Sequence, residues 1–349
     1  MMALWYWGQC VCQRAHPGQR AYRRPCLRPC CNPGAWQRAR GLALVELMVS
    51  LLLGALVVLV ASALLVAADN NFLNHGASAR LNDGGRYALE IIGQSARQTA
   101  YVNWDSAAAP VELADDVSAS ISGLDARSIS RDSDGIADPL PAAANGSDVL
   151  ALRYAGSGAG GNGDGSVLNC AGFGVAAPAS ADDRGWSIFY VAADTDGEPE
   201  LRCKYRSADG WGSDAIVRGV DSFQVLYGLD TDTPPDGVAN QYVSASAINA
   251  LDAALVLNGG SADELARDKN RKTWWKRVAS IRLALLLHGE LGTRADSLPG
   301  RFDLFGEAYA NAAGSDSGVR IVESSLPADL QLRARQLFVT TIQLRNRGG

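Results

Sequence analysis

Acidic side chains are absent from the first 41 residues, which hold seven arginines and no Asp or Glu. The rest of the chain has the opposite bias. With a formal net charge of −5 overall, residues 42–349 are left with 25 basic and 37 acidic side chains, a net −12. An acidic body lacks the basic surplus that a dedicated nucleic-acid surface needs, so nucleic acid is an unlikely partner. Histidine is scarce: beyond residue 41 there are only His75 and His288, and neither has a partner at metal-ligand spacing. No G-x-S-x-G elbow and no P-loop occurs, so nothing in the sequence supports catalysis. Cysteine is concentrated where paired zinc spacing is missing. Of Cys10, Cys12, Cys26, Cys30 and Cys31, only Cys26 and Cys30 approach it. The rest of the chain has Cys170 and Cys203 alone. An even count in an oxidising compartment reads as one disulfide, the alternative being two separate buried thiols.

What the sequence does have is a long apolar run. From Leu42 to Ala68 there are 27 residues and one ionisable side chain, Glu46. About 20 apolar residues cross a bilayer as a helix, and a secretory signal has an apolar core of only ~7–15. The run is therefore long enough to span and too long for a cleaved signal core. Arg38 and Arg40 before it argue that the N-terminus stays in the cytoplasm and that the chain after Ala68 lies outside it. A carboxylate at membrane depth is costly. Glu46 is either an interfacial residue that the membrane tolerates or one with a positively charged partner inside the membrane.

Apolar residues then recur at Phe72, Leu73, Leu81, Leu89, Ile92 and Ala96, roughly at helical spacing. The helix is expected to run from Leu42 to about Thr99, loosened or kinked at Gly84-Gly85. From Tyr101 the pattern becomes strand-like: DVLALRYA (148–155), GWSIFYVA (185–192), ELRCKY (200–205) and VDSFQVLYGL (220–229). In RVASIRLALLLH (277–288), Ala279, Ile281, Leu283, Leu285 and Leu287 share a face. In QLFVTTIQLRN (336–346), Phe338, Thr340, Ile342 and Leu344 do the same. Such alternation predicts half-buried strands of an antiparallel sheet, with Gly-, Asp-, Ser- and Ala-rich loops between them. SADELARDKN (261–270) reads as a short helix, with Ser261 and Glu264 forming a capping box.

Three further stretches offer chemistry. GSGAGGNGDG has a formal G-x-G-x-x-G at Gly158, Gly160 and Gly163, but no helical pattern follows it, so it reads as a flexible loop. Asp230, Asp232 and Asp236 fall in one turn, and so do Asp132, Asp134 and Asp138. Alternating aspartates can ligate calcium, but Pro234 occupies a ligand position, neither turn has a closing Glu, and aspartates favour turns without any metal. DKNRKTWWKR carries five cations from Lys269 to Arg277 around Trp274 and Trp275. It reads as a solvated charge run whose tryptophans anchor the next strand, the other reading being a single-strand nucleic-acid patch.

The segment G-LALVELMVSLLLG (41–54) resembles the type III signal of type IV pilins and type II secretion pseudopilins. The later blocks LNDGGRYALEIIGQSARQTAY, NGSDVLALRYAG, SIFYVAADTDGEPELRCKY, VRGVDSFQVLYGLDTDTPPDGVANQYV and FVTTIQLRNR resemble the PilW-type minor pilins. Leu42 stands where those families usually have phenylalanine. The resemblance implies cleavage after Gly41 by a prepilin peptidase, methylation of Leu42, and pairing of Glu46, fifth from the cut, with a neighbour's N-terminal amine. It implies an α+β pilin-like fold: a basic leader (1–41), a membrane-spanning helix half (42–68), an amphipathic half (69–100) and a β-rich exported domain (101–349). The length of the leader, with its WYW and five cysteines, points to a start placed upstream of the true one. The expected partners are other minor pilins, a PilY-type tip adhesin, the major pilin and the inner membrane. The expected location is the inner membrane with a periplasmic domain, then the pilus tip. No cofactor is expected beyond a possible role for calcium at Asp230, Asp232 and Asp236. A type II secretion pseudopilin J and a tip adhesin or DNA-binding module are the rival readings.

Overall fold

The structure, a computed structural model, describes residues 44–100, 114–207, 209–291, 293–294 and 298–345, except the side chains of 70–74. It divides into two units, Met1–Ser62 and Ala63–Gly349. Helix α1 (Leu44–Gln98) is a single 55-residue element. In the first unit its leucines and valines are exposed on every side, with Leu44 at 76% and Val58 at 68%. A helix apolar all round needs an apolar surrounding. The stretch Leu44–Asp69 is long and apolar enough to cross a membrane.

In the second unit α1 becomes one-sided. Leu81, Ala88, Ile92 and Ala96, spaced by seven, four and four, are buried in the main core. Glu90, Gln94 and Arg97 occupy the solvent side, where both Gln94 and Arg97 donate hydrogen bonds to Glu90. Gly84-Gly85, where the helix is expected to loosen or kink, does not break it: the helix runs through both glycines. A Cβ at Gly85 would press into the ring of Phe338, and one at Gly84 would meet Val217 Cγ2 at 3.0 Å. The glycines bring the helix backbone close to two strands.

The strands are antiparallel throughout. One sheet has the order β1 (Ile121–Leu124), β4 (Val149–Tyr154), β5 (Gly185–Ala193), β6 (Pro199–Ser207) and β7 (Gly210–Arg218). The other has the order β13 (Arg335–Gln343), β10 (Val278–His288), β8 (Val220–Leu229) and β9 (Gln241–Val243). Two small ladders, β2 (Arg127–Ser128) with β3 (Leu140–Pro141) and β11 (Arg301–Asp303) with β12 (Arg320–Val322), lie outside them. Helices α2 (Ala245–Ala253) and α3 (Ala262–Lys272) connect β9 to β10, and α4 (Glu307–Ala312) connects β11 to β12. The α+β class expected from the sequence is the class observed.

Half-burial of the strands is corrected by the structure. Ile281, Leu283, Leu285 and Leu287 of β10 enter the main core with α1, as expected. The opposite face, Ala284 and Leu286, is buried as well, under Leu304, Phe305, Ala310, Val319 and Ile321 of the excursion between β10 and β13. The first sheet is likewise covered on its outer face, where Val149, Ala151, Ile188 and Tyr190 pack with Ile129. Strand β8 is buried at all ten positions. The edge strands β13 and β7 keep mostly half-buried and exposed positions.

Candidate functional site

The features that could act on a partner begin at the start of α1. Gly41 and Leu42, the predicted processing site, and the leader cysteines lie outside the described residues. Glu46 lies in the first turn of α1, where a carboxylate suits the positive end of the helix dipole. Its side chain is exposed, and among the described residues it takes no hydrogen bond or ion pair. Its backbone carbonyl accepts a hydrogen bond from Ser50 Oγ at 2.7 Å, and Ser62 Oγ donates to Leu59 O at 2.9 Å. Both hydroxyls of this apolar stretch are thus turned back onto the helix, the arrangement a polar group adopts where no water is at hand. The Glu46 carboxylate is the one unsatisfied acid of the described stretch 44–68, available to a cation supplied from outside.

The disulfide lies elsewhere. Cys170, in the loop before β5, is bonded to Cys203 on β6, with Cα atoms 5.9 Å apart. The bond is part of the main core and anchors the long loop after β4 to the sheet. The Gly-rich stretch within that loop opens no helix. Gly158, Gly160, Gly163 and Gly165 all have positive φ, and Ser157 and Asp164 close the loop, Asp164 N donating to Ser157 O at 2.9 Å. No phosphate cradle results, since no helix N-terminus faces it.

The two acidic turns differ sharply. Asp230, Asp232 and Asp236 bring one carboxylate oxygen each within 4.8 Å of one another. Each already accepts an internal hydrogen bond: Asp230 from the backbone N–H of Asp232 and Gly237, Asp232 from Asn240, and Asp236 from Val238. Donors occupying the carboxylates are the mark of a turn and compete with a cation for the same oxygens. The turn at Ser130–Gly135 is built around a cation of the protein's own. The Lys204 ammonium donates to Ser130 O (3.0 Å), Ser133 O (2.6 Å), Ser133 Oγ (3.0 Å) and Gly135 O (2.9 Å), and lies 4.7 Å from the Trp211 ring centroid. Burial pushes its pKa down to about 8, while Asp134 and Asp132 pull it up.

The basic run is absorbed by the fold. Lys269, Arg271 and Lys272 sit in the last turn of α3, which Ser261 and Glu264 cap at its start. Lys272 pairs with Asp268 at 2.7 Å and Arg271 with Asp115 at 3.3 Å. Trp275 is buried against Tyr227, ring centroids 4.8 Å apart, and Arg277 lies over Trp274. One tryptophan in the core and another stacked on an arginine leave no free platform for bases.

His288 has a setting that sequence reasoning missed. It is buried at the end of β10, with Nδ1 2.9 Å from Asp221 Oδ1 and Nε2 2.6 Å from Glu198 Oε1. Asp221 also accepts from Arg335 Nε at 2.6 Å, and Arg335 pairs with Glu323 at 2.8 Å. Burial raises the Glu323 carboxyl, but hydrogen bonds from Gly300 N–H, Arg294 and Leu332 N–H outweigh it and hold it below its usual value. The chain of charges ties β8, β10 and β13 to the turn before β6 and to the 3-10 turn after β12. No hydroxyl or thiol is hydrogen-bonded to His288 among the described residues, so the network holds strands together and offers no nucleophile.

Comparison with known proteins gives the context of these features. Residues 188–346 match the family model described as Type IV Pilus-assembly protein W. No curated protein matches the chain. Among solved structures, a type IV-like pilin from Thermus thermophilus is similar, with 12% identity, 76% of this chain and 96% of that chain covered, and a TM-score of 0.37. The matched segment, a little under half of the chain, runs from β5 to the end of β13 and holds Cys203, Lys204, the aspartate turn and the His288 network, so this part of the chain is similar to the type IV pilus-assembly proteins that the family model describes.

Proposed function

We propose that this chain is a minor pilin that takes part in priming type IV pilus assembly and stays in the complex at the pilus tip. The observation that carries the reading is the PilW match joined to an apolar helix with one unsatisfied carboxylate, Glu46. In this reading a prepilin peptidase cuts after Gly41 and Leu42 is methylated. The subunit then waits in the inner membrane with residues 69–349 in the periplasm. As subunits stack, Glu46 receives the N-terminal amine of a neighbour. In an apolar surrounding that attraction is strong, and a charge left without its partner is costly. The partners are other minor pilins, the major pilin and a PilY-type tip adhesin. The role is structural, with no reaction and no required cofactor, and calcium at Asp230, Asp232 and Asp236 is not needed for it.

The test is Glu46→Ala. Alanine removes the desolvation cost and the attraction together, so the subunit should be made, cleaved and retained in the membrane. It should be depleted in sheared pili relative to membranes, compared with wild type. Equal ratios with normal piliation would leave Glu46 without an assembly role. Sequencing of the mature protein should begin at methylated Leu42, and a start beyond Ala68 would sink the pilin reading.

A further inference from the structure

Two arginines of the first sheet are buried without a direct ion pair among the described residues. Arg184, just before β5, is 1% exposed, and Arg153 on β4 is 8% exposed. Arg184 donates to Ala181 O, Ser120 Oγ, Ser118 O and Ser118 Oγ. Arg153 donates to the same Ser118 Oγ at 2.9 Å and to Asp182 O at 2.8 Å. The two guanidiniums therefore meet across a single hydroxyl oxygen. Every acceptor they have is neutral, and no carboxylate oxygen of the described residues comes within 4.0 Å of either. Lys276, half-buried in the 3-10 turn before β10, adds a third cation. It donates to Asp115 O, three residues before Ser118, and the Arg184 charge acts on it. Asp182, Asp134 and Asp183 act on Arg153, and Asp115 and Asp116 on Lys276, all from beyond ion-pair distance.

Arg153 also has donors to spare. Its Nε–H is buried and has no acceptor among the described residues. The guanidinium stacks on Trp186, 4.4 Å from the ring centroid. Stacking occupies the flat face, and the in-plane Nε–H lies buried without a partner, a donor that an oxyanion would satisfy. Buried like charges lose their solvation and repel each other, and burial lowers the pKa of both arginines. An anion at the unpartnered edge would relieve both effects.

We propose that Arg153, Arg184 and Lys276 form a binding site for a small oxyanion from solution, of phosphate or carboxylate type, held by the free edge of Arg153. The test uses the full chain in a phosphate-free detergent, with arginine labelled by ¹⁵N. Inorganic phosphate is added at constant ionic strength, with chloride as the balancing ion. The Arg153 Nε–H signal, assigned by its loss in Arg153→Lys, should shift and saturate. Lys276→Gln, at a half-buried position, should keep the fold and weaken binding roughly tenfold, the loss of one charge-assisted contact. Acetate in a second titration reports on the carboxylate class, and saturation by either anion supports the site. A linear drift equal to that with chloride means screening alone and overturns it, as would unchanged affinity in Lys276→Gln. A shift produced only by phosphatidylglycerol bicelles, and not by free anions, would also overturn the proposal by assigning the cations to a lipid headgroup. If Arg153→Lys does not fold, the wild-type titration and Lys276→Gln still decide the question.

Discussion

Replacing Gly84 and Gly85 by alanine, one at a time, tests why two glycines stand in the middle of an unbroken helix. Both substitutions remove the same backbone penalty, about 1 kcal/mol per glycine in a helix interior. If the glycines were there only to loosen the helix, both variants would be more stable by that amount. The surroundings differ. A Cβ at position 84 meets one atom, Val217 Cγ2, at 3.0 Å. One at position 85 meets three ring atoms of Phe338, Cδ2 at 2.6 Å and Cε2 and Cζ closer still. Overpacking of this kind costs about 1–3 kcal/mol. Since the propensity gain cancels between the two variants, Gly85→Ala should be less stable than Gly84→Ala by about 1–3 kcal/mol. Urea unfolding of the full chain in detergent, followed by far-ultraviolet circular dichroism, measures the difference. A double-mutant cycle isolates the contact: in a Phe338→Ala background, Gly85→Ala should change sign and stabilise by up to about 1 kcal/mol. Equal stabilities of the two single variants, or a cycle with no coupling, would refute the close-approach account.

Three other outcomes are expected. Cys170→Ser with Cys203→Ser opens a loop of sequence separation 33 and should lower stability by about 3–4 kcal/mol in the chain-entropy model, read from urea midpoints. Lys204→Met unpairs the carbonyls of Ser130, Ser133 and Gly135, so stability should fall by about 1–3 kcal/mol and trypsin should cut after Arg131 faster than in wild type. The folded Glu323 carboxyl lies below its ordinary value of 4.5, so its stabilising contribution is full above that pH and is lost as pH falls through the folded value. Glu323→Gln should therefore be less stable at neutral pH and show a shallower acid limb in a stability-against-pH curve. A limb of unchanged steepness would exclude Glu323 as one of its causes.

Local pattern revealed much of this architecture. The apolar run from Leu42, the capping box at Ser261 and Glu264, and the strands carrying SIFYVA, LRCKY and SFQVLYG all reported through neighbours a few residues apart. Alternation in β10 was read correctly for Ile281, Leu283, Leu285 and Leu287. It misled about Ala284 and Leu286, because LALLL is also a continuous apolar run, and such a run marks a strand buried on both faces. The cover for that second face comes from Leu304 to Ile321, beyond the strand, and no local signal names it. Strand β7, GWGSDAIVR, has two glycines and a mixed pattern, so its pairing with β6 became visible only in the sheet. Gly84-Gly85 was a signal of more than one meaning: glycine marks a weak point or a close approach, and the facing residues Val217 and Phe338 reveal the second.

The polar sites show where sequence reading runs out. RDSDG and LDTDTPPDG have nearly the same chemistry on paper: alternating aspartates, a glycine and no closing glutamate. In the fold they differ because of one residue. Lys204, about 70 positions from the first turn, inserts a buried ammonium among its carbonyls, so that turn closes on a cation the protein supplies itself. The second turn closes on its own N–H groups at Asp232, Gly237 and Val238. His288 follows the same rule, its partners Asp221 and Glu198 lying 67 and 90 residues away. A charged side chain in a short motif has no fixed role until its partner is known, and sheet topology sets that partner. The converse applies at Glu46, where no partner is present within the described residues. His288 and Lys204 find their partners within the fold, whereas the Glu46 carboxylate lies on the apolar stretch 44–68 and, in the function proposed above, would receive its partner from a neighbouring subunit.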